Sequence, residues 1–207
     1  MYMTRVILEC VPQPNAICEV LRAAFPGEHS DKAMENLWRV DELEDGKELL
    51  VVSSHLPQLQ PIAKEIGTCD ERNKTLPYAP FLGRLENGQA WNFRLCANPV
   101  GHKKKNASDK REKLYALRTA AEQLEWLGEQ GLKHGFDVKE CSVISDEWRM
   151  FKADKDDKKD AARLLAVTFE GLLVVTDAEA FRTALTQGIG RGKTHGCGLL
   201  TLAKNSP

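Results

Sequence analysis

The sequence predicts an α+β fold: two tandem ferredoxin-like units, each of order β-α-β-β-α-β, with a glycine-rich loop near the C-terminus. Three observations lead there. Strand-like alternation and helix-like periodicity follow one another in that order in the first half, and a similar pattern follows in the second. The 207 residues divide into two domains of ordinary size, read as 1–88 and 89–207. The 42% hydrophobic content is enough to bury a core and excludes a wholly disordered chain.

Residues 2–10 alternate Val6, Leu8 and Cys10 as a strand, stopped by Pro12 and Pro14. Asn15 is the expected N-cap of a helix over 16–25, whose apolar stripe is Ile17, Val20, Leu21 and Ala24 and which Pro26-Gly27 ends. Residues 37–40 and 49–53 read as strands joined around Glu44-Asp45-Gly46. A short helix over 59–66 and, after an irregular stretch, a strand over 89–96 complete the first β-α-β-β-α-β order.

A similar pattern follows in the second half. Thr119-Ala-Ala-Glu122 is a capping box that opens a helix carrying Ala120, Leu124 and Leu127 on one face. Residues 138–145 and 164–175 are strands, the second with Leu165, Val167 and Phe169 on one face, and the charged segment 152–160 between them is too polar to bury. Thr176-Asp-Ala-Glu179 reads as a second capping box, with Ala178, Phe181, Ala184 and Leu185 facing inward. Gly188 stops that helix, and residues 198–202 make the last strand.

Net charge is −1, from 29 Lys+Arg against 30 Asp+Glu, but the bases are not spread evenly. Residues 101–113 hold six bases (Lys103, Lys104, Lys105, Lys110, Arg111 and Lys113) and two acids, and Arg191 and Lys193 lie in a stretch with no acid. Two basic patches in an otherwise acidic chain point to a polyanion such as RNA or DNA. Six scattered cysteines form no C-x-x-C pair, so neither a structural zinc site nor another metal centre is expected, and most should be buried apolar residues. No apolar run approaches the ~20 residues of a membrane span, and the start lacks a signal-peptide core. The expected location is cytoplasmic, away from membranes.

The segment 188–198 carries the most information, with five glycines in eleven residues. Gly192-Lys193-Thr194 imitates a P-loop, yet Gln187 stands where the first glycine belongs, and a helix rather than a strand precedes it. The dinucleotide fingerprint fails because Lys193 falls on its third glycine. With both nucleotide readings excluded, Gly188, Gly190 and Gly192 leave backbone N–H groups open to an anion. Arg191 and Lys193 add charge beside them, and a phosphodiester backbone is the natural guest.

This loop, followed by Leu199-Leu200, resembles the C-terminal signature of the repeat-associated RNA-binding proteins of CRISPR systems, in particular the CasE family of type I-E Cascade. Further matches are Met1-Tyr2-Met3-Thr4-Arg5-Val6, Leu37-Trp38-Arg39-Val40, Phe93-Arg94-Leu95-Cys96-Ala97-Asn98-Pro99, Glu122-Gln123-Leu124-Glu125-Trp126-Leu127 and Val167-Thr168-Phe169-Glu170-Gly171. The resemblance implies a crRNA-processing endoribonuclease that needs no metal or other cofactor. It binds the stem-loop of the repeat transcript, cuts by attack of a ribose 2′-hydroxyl, and stays on the 3′ hairpin with the other Cascade subunits, especially the backbone subunit. It places the basic run 101–113 against RNA phosphates, and a hairpin carrying Arg149 and Lys152 at the base of the stem.

The resemblance also implies a catalytic histidine seven residues before the Phe of Phe25-Pro26, where this chain has Cys18, and Asn15 where some members have tyrosine. Imidazole titrates near ~6.5 and exchanges protons at neutral pH, whereas a thiol near ~8.5 is mostly protonated. Three accounts follow. Cys18 inactivates the chain and leaves an RNA-binding subunit; or His29 or His195 substitutes; or Cys18 itself serves, activated by neighbouring cations.

Overall fold

In the computed structural model, which describes residues 1–9, 13–25, 36–68, 70–104, 112–151 and 162–204, the chain begins β1 (Tyr2–Leu8), α1 (Pro14–Ala24), β2 (Leu37–Leu43), β3 (Gly46–Ser53), α2 (Leu59–Glu65) and β4 (Lys74–Pro77). A short α3 (Ala79–Leu82) leads to β5 (Ala90–Ala97), β6 (Val100–Lys104), β7 (Glu112–Ala116) and α4 (Ala120–His134). The chain then continues β8 (Phe136–Phe151), β9 (Ala162–Val175), α5 (Ala178–Gln187) and β10 (Leu200–Lys204). Two four-stranded sheets result, ordered β2-β3-β1-β4 and β10-β5-β9-β8, with every neighbour antiparallel. Leaving aside α3 and the β6–β7 hairpin, the two orders are the same, so the ferredoxin-like pattern occurs twice.

Three local expectations are corrected. The strand expected over 89–96 does not close the first sheet; as β5 it lies inside the second. The first sheet is closed by β4, which carries no apolar alternation because Leu76 is 61% exposed. Backbone pairing with β1 and the Thr4–Thr75 hydroxyl contact at 3.0 Å hold it instead. Asn15 is not the cap of α1. Pro14, pre-set for the first helical position, starts the helix two residues earlier, and Gln13 becomes the N-cap. Nor does Thr176 cap α5, since the Asp177 carboxylate accepts from the N–H groups of Glu179 and Ala180.

The Thr119 capping box forms as expected, its hydroxyl accepting from Glu122 N–H while the Glu122 carboxylate reaches back to Thr119 N–H. Thr119→Ala is expected to lower unfolding free energy by about 1 kcal/mol in urea denaturation, the usual cost of losing an N-cap.

One core lies between α1, α2 and the first sheet, where Ile17, Leu21 and Ile62 meet Val6, Leu49 and Val51. A second lies between α4, α5 and the second sheet, around Phe93, Phe169, Leu127 and Phe181. It also takes in Leu37 and Val52 from the first, so apolar packing is continuous across residues 88 and 89. A polar link runs beside it. Arg39 of β2, only 2% exposed, holds Asp41 through two bonds of 2.7 Å and donates across to the carbonyls of Arg94 and Leu199 and the hydroxyl of Thr201.

The longest pairing is β8 with β9, interrupted by register shifts at Val138/Glu140 and Val143/Ser145. Gly171 sits opposite the first, where a Cβ would stand 1.9 Å from the Glu140 carbonyl oxygen, so only glycine fits. Beyond the second shift alternation resumes: Phe151 turns inward, while Trp148 and Met150 are 40% and 60% exposed. Among the described residues no helix is long and apolar enough to cross a membrane.

Candidate nucleic-acid interface

Helix α1 buries Ile17, Val20, Leu21 and Ala24, which leaves Cys18 half-buried at the edge of that stripe. Its Sγ donates to the Thr194 carbonyl of the glycine loop at 3.4 Å, across 176 residues of sequence. The indole N–H of Trp38 donates to the same oxygen at 3.3 Å. The first sheet and its helix thus grip the loop at one carbonyl.

Residues Lys193–His195 form a single 3₁₀ turn between Gly192 and Gly196, both left-handed with φ near 78° and 77°. A Cβ on Gly196 would lie 2.7 Å from the Trp38 ring, and one on Gly190 3.0 Å from Trp126. The loop therefore needs glycine for close packing as well as for its turns. The open anion nest expected from the glycines is corrected at six of its donors: Gly188 N–H bonds Ala184 O and Gly196 N–H bonds Lys193 O, and four more are taken up as follows. Ile189 N–H bonds Gly198 O, His195 and Cys197 N–H bond Gly192 O, and Gly198 N–H bonds Cys96 O. Gly188 and Ile189 are buried and Gly190 is half-buried, so a valine at 190 would disturb folding as much as any ligand.

His195 stands on the turn, its Nδ1 2.8 Å from the Thr194 hydroxyl and its ring edge-to-face with Phe151 at 4.1 Å between centroids. Burial pushes its pKa down, so the imidazole is neutral at neutral pH and able to accept a proton. The same shift sets a sign for stability: the contribution is complete above the unfolded value of ~6.5 and is lost as pH falls through the lower folded one.

Arg149 lies against the loop, its Nη1 donating to Gly196 O at 3.4 Å while its Nε holds Glu147 at 2.6 Å. Its side chain is 16% exposed, which makes it a brace of the turn more than an open cation. Arg191 is exposed and bridges the backbone of Asn98; Lys193 is half-buried, and desolvation lowers its pKa. Lys103, Lys104 and Lys113 fall in the paired strands β6 and β7. Lys105, Lys110, Arg111, Lys152 and His29 lie outside the described residues.

Beneath the loop the thiols of Cys96 and Cys197 are both buried. Their hydrogen bond holds the Cys96 pKa down against desolvation, helped by the charge of Arg149, and pushes that of Cys197 up. The sequence alone presents these two as inert apolar residues. It also carries Trp38 and Thr194 within motifs that give neither a role. The only available signal is that Thr194 stands between two candidates, Lys193 and His195. Among the described residues no group of three or more His, Cys, Asp or Glu side chains could hold a metal ion.

A family profile described as "CRISPR associated protein" matches residues 1–204, almost the whole chain. The chain belongs to this family. Among its relatives, the CRISPR-associated endoribonuclease Cse3 of Thermus thermophilus is 37% identical over 139 residues, covering 63% of each chain. The match therefore spans slightly under two thirds of that relative's length. The Cascade subunit CasE of Escherichia coli K12 is 30% identical over 191 residues, 86% of each. A solved structure of Cse3 bound to a 19-nucleotide RNA superposes with a TM-score of 0.76 at 26% identity, covering 99% of this chain and 100% of that one. The crystal structure of Cas6e from Escherichia coli K-12 gives 0.67 at 26%, covering 98% and 99%. The family's architecture is thus shared over the full described length.

Proposed function

We propose that this chain binds the stem-loop of a CRISPR repeat transcript and processes it by attack of a ribose 2′-hydroxyl on the adjacent phosphate. The observation that carries the reading is the meeting of two sequence-distant candidates at one residue: Cys18 donates to the Thr194 carbonyl, and His195 contacts the Thr194 hydroxyl. The RNA-bound Cse3 structure and the endoribonuclease relatives support it.

In this reaction the 2′-oxygen forms a bond to phosphorus while the bond to the 5′-oxygen breaks. The 2′-proton passes to a base, and an acid supplies the proton of the 5′-hydroxyl that leaves. Neutral His195 suits the first role, and Arg191 and Lys193 lie where cations can offset charge on the phosphorane. No cofactor enters these steps. The product stays bound through its hairpin, and assembly with the other subunits follows the relative named as a Cascade subunit.

A second reading rests on the same contact at position 18. The Cys18 Sγ is placed as a donor to a carbonyl, and a thiol engaged as a donor is not placed to accept the 2′-proton as a base. On that reading the chain is a crRNA-hairpin-binding subunit with impaired cleavage.

Binding to a repeat stem-loop, followed over a range of salt, tests the part common to both. Neutralising Lys103, Lys104 and Lys105 together is expected to make the slope of log K against log[salt] shallower by about 0.7–0.9 per lost phosphate contact. An unchanged slope removes the run from the interface; absence of binding by the unaltered protein overturns the reading.

A further inference from the structure

The outward face of β8 carries an aromatic cluster that the cleavage site does not use. Trp148 is 40% exposed, and the guanidinium of Arg163 lies over its ring at 4.2 Å, with that of Arg118 at 5.7 Å. Tyr115 of β7, 45% exposed, lies across Gly101 of β6, where a Cβ would stand 2.6 Å from its ring. Glycine at 101 thus lets the tyrosine ring lie flat on the hairpin. Between the two aromatics an open recess of about 450 Å³ is lined by Tyr115, Ala116, Arg118, Glu122 and Trp148.

From this recess we infer a nucleobase subsite: resting on the hairpin reading above, one unpaired base of the RNA flanking the stem stacks on the aromatic surface of Tyr115 and Trp148. Three features select this occupant. A base offers a π-face of any sequence to an aromatic ring, and stacking of this kind is how proteins hold single-stranded RNA. Arg163 and Arg118, both exposed, lie over the Trp148 ring and can meet the phosphates on either side of a base held in the recess. An apolar protein side chain would bury those two charges without supplying an anion. Glu122, held below its usual pKa by the capping box, lines the recess, so a phosphate is unfavourable inside it and a base edge bearing amino groups is not.

Position supports the same occupant. The β6–β7 hairpin closes where Leu117 N–H bonds Pro99 O, next to Asn98, and Asn98 pairs with Arg191 of the glycine loop. The glycine loop and the hairpin that carries Tyr115 are thus joined through Asn98.

The experiment compares two RNAs, a minimal repeat stem-loop and the same stem-loop with a short single-stranded extension, against Trp148→Ala and Tyr115→Ala. Each variant is expected to weaken binding of the extended RNA by roughly 5- to 150-fold, the weight of one base–aromatic stack. Affinity for the minimal stem-loop and the thermal midpoint should stay unchanged. Trp148→Phe should restore most of the loss. Equal losses on both RNAs assign the residues to stem binding or folding and overturn the subsite, as does no loss on either. Unchanged RNA affinity with lost association of other subunits makes the surface a protein contact and also overturns it. A wild-type chain that binds neither RNA overturns the hairpin reading itself, and the subsite with it.

Discussion

Cys18→His is expected to raise metal-independent cleavage of a repeat hairpin by about 10²-fold or more, the usual weight of a general acid–base residue. The thiol reaches the Thr194 carbonyl from α1, so a side chain at position 18 is aimed at the turn that carries His195. An imidazole there brings the side chain whose unperturbed pKa lies nearest neutral pH, so it can both accept and return a proton, which a thiol does poorly. With His195 already kept neutral by burial, the variant would have two groups able to share the two proton transfers. The product should end in a 2′,3′-cyclic phosphate, because the 2′-hydroxyl is the nucleophile that needs no bound water.

Cys18→Ala separates the remaining accounts on the same denaturing gel. A further drop from the wild-type rate makes the thiol a participant, and an unchanged low rate makes it a bystander. Wild-type cleavage already as fast as that of Cys18→His, and not slowed by Cys18→Ala, would remove position 18 from the chemistry. His195→Ala is then the informative variant among the described candidates.

What sequence can show here follows from where the physics is local. The strand around Val6, the helix around Ile17 and Leu21, and the hairpin at Gly46 are encoded by alternation, periodicity and turn chemistry within a few residues, and all three form. β4 is encoded by its neighbour: Lys74–Pro77 has no apolar face of its own, and β1 supplies the pairing. At the start of α1 two local rules compete at adjacent residues, and the proline at its preferred position prevails over the asparagine.

The glycine loop shows the harder limit. Its composition reads equally well as an anion nest and as a turn packed under two tryptophans. Only the rings of Trp38 and Trp126, distant in sequence, favour the second. Cys18 and His195 are both candidates by residue type, but nothing local connects α1 to a turn 176 residues later. Arg39 stands out in the sequence only as part of a motif, since a single arginine in a strand reads as a solvated face.

Arg39→Met is expected to lower stability by about 3–5 kcal/mol, the cost of breaking a buried ion pair from one side. Arg39 and Asp41 are 2% and 7% exposed, so the variant leaves a carboxylate with Arg94 Nη1 at 3.6 Å as a remaining cation. Arg94 is also paired with Glu170, which limits how far it can compensate. The carbonyls of Arg94 and Leu199 lose a charged donor at the same time, and each buried acceptor left unmet costs about 1–3 kcal/mol. Arg39→Met with Asp41→Leu removes the stranded charge and is expected to recover a large part of the loss, since an apolar replacement of a buried pair is often neutral. Urea denaturation of the three proteins measures both effects. Because Leu199 directly follows the glycine loop, the single variant should also weaken binding to a repeat stem-loop while the protein is still folded. A loss below about 1 kcal/mol, well under the usual cost of breaking such a pair, with RNA affinity unchanged would mean that the apolar cluster around Leu37 and Val52 alone joins the two sheets. In that case the Arg39 network has no part in holding the loop against α1.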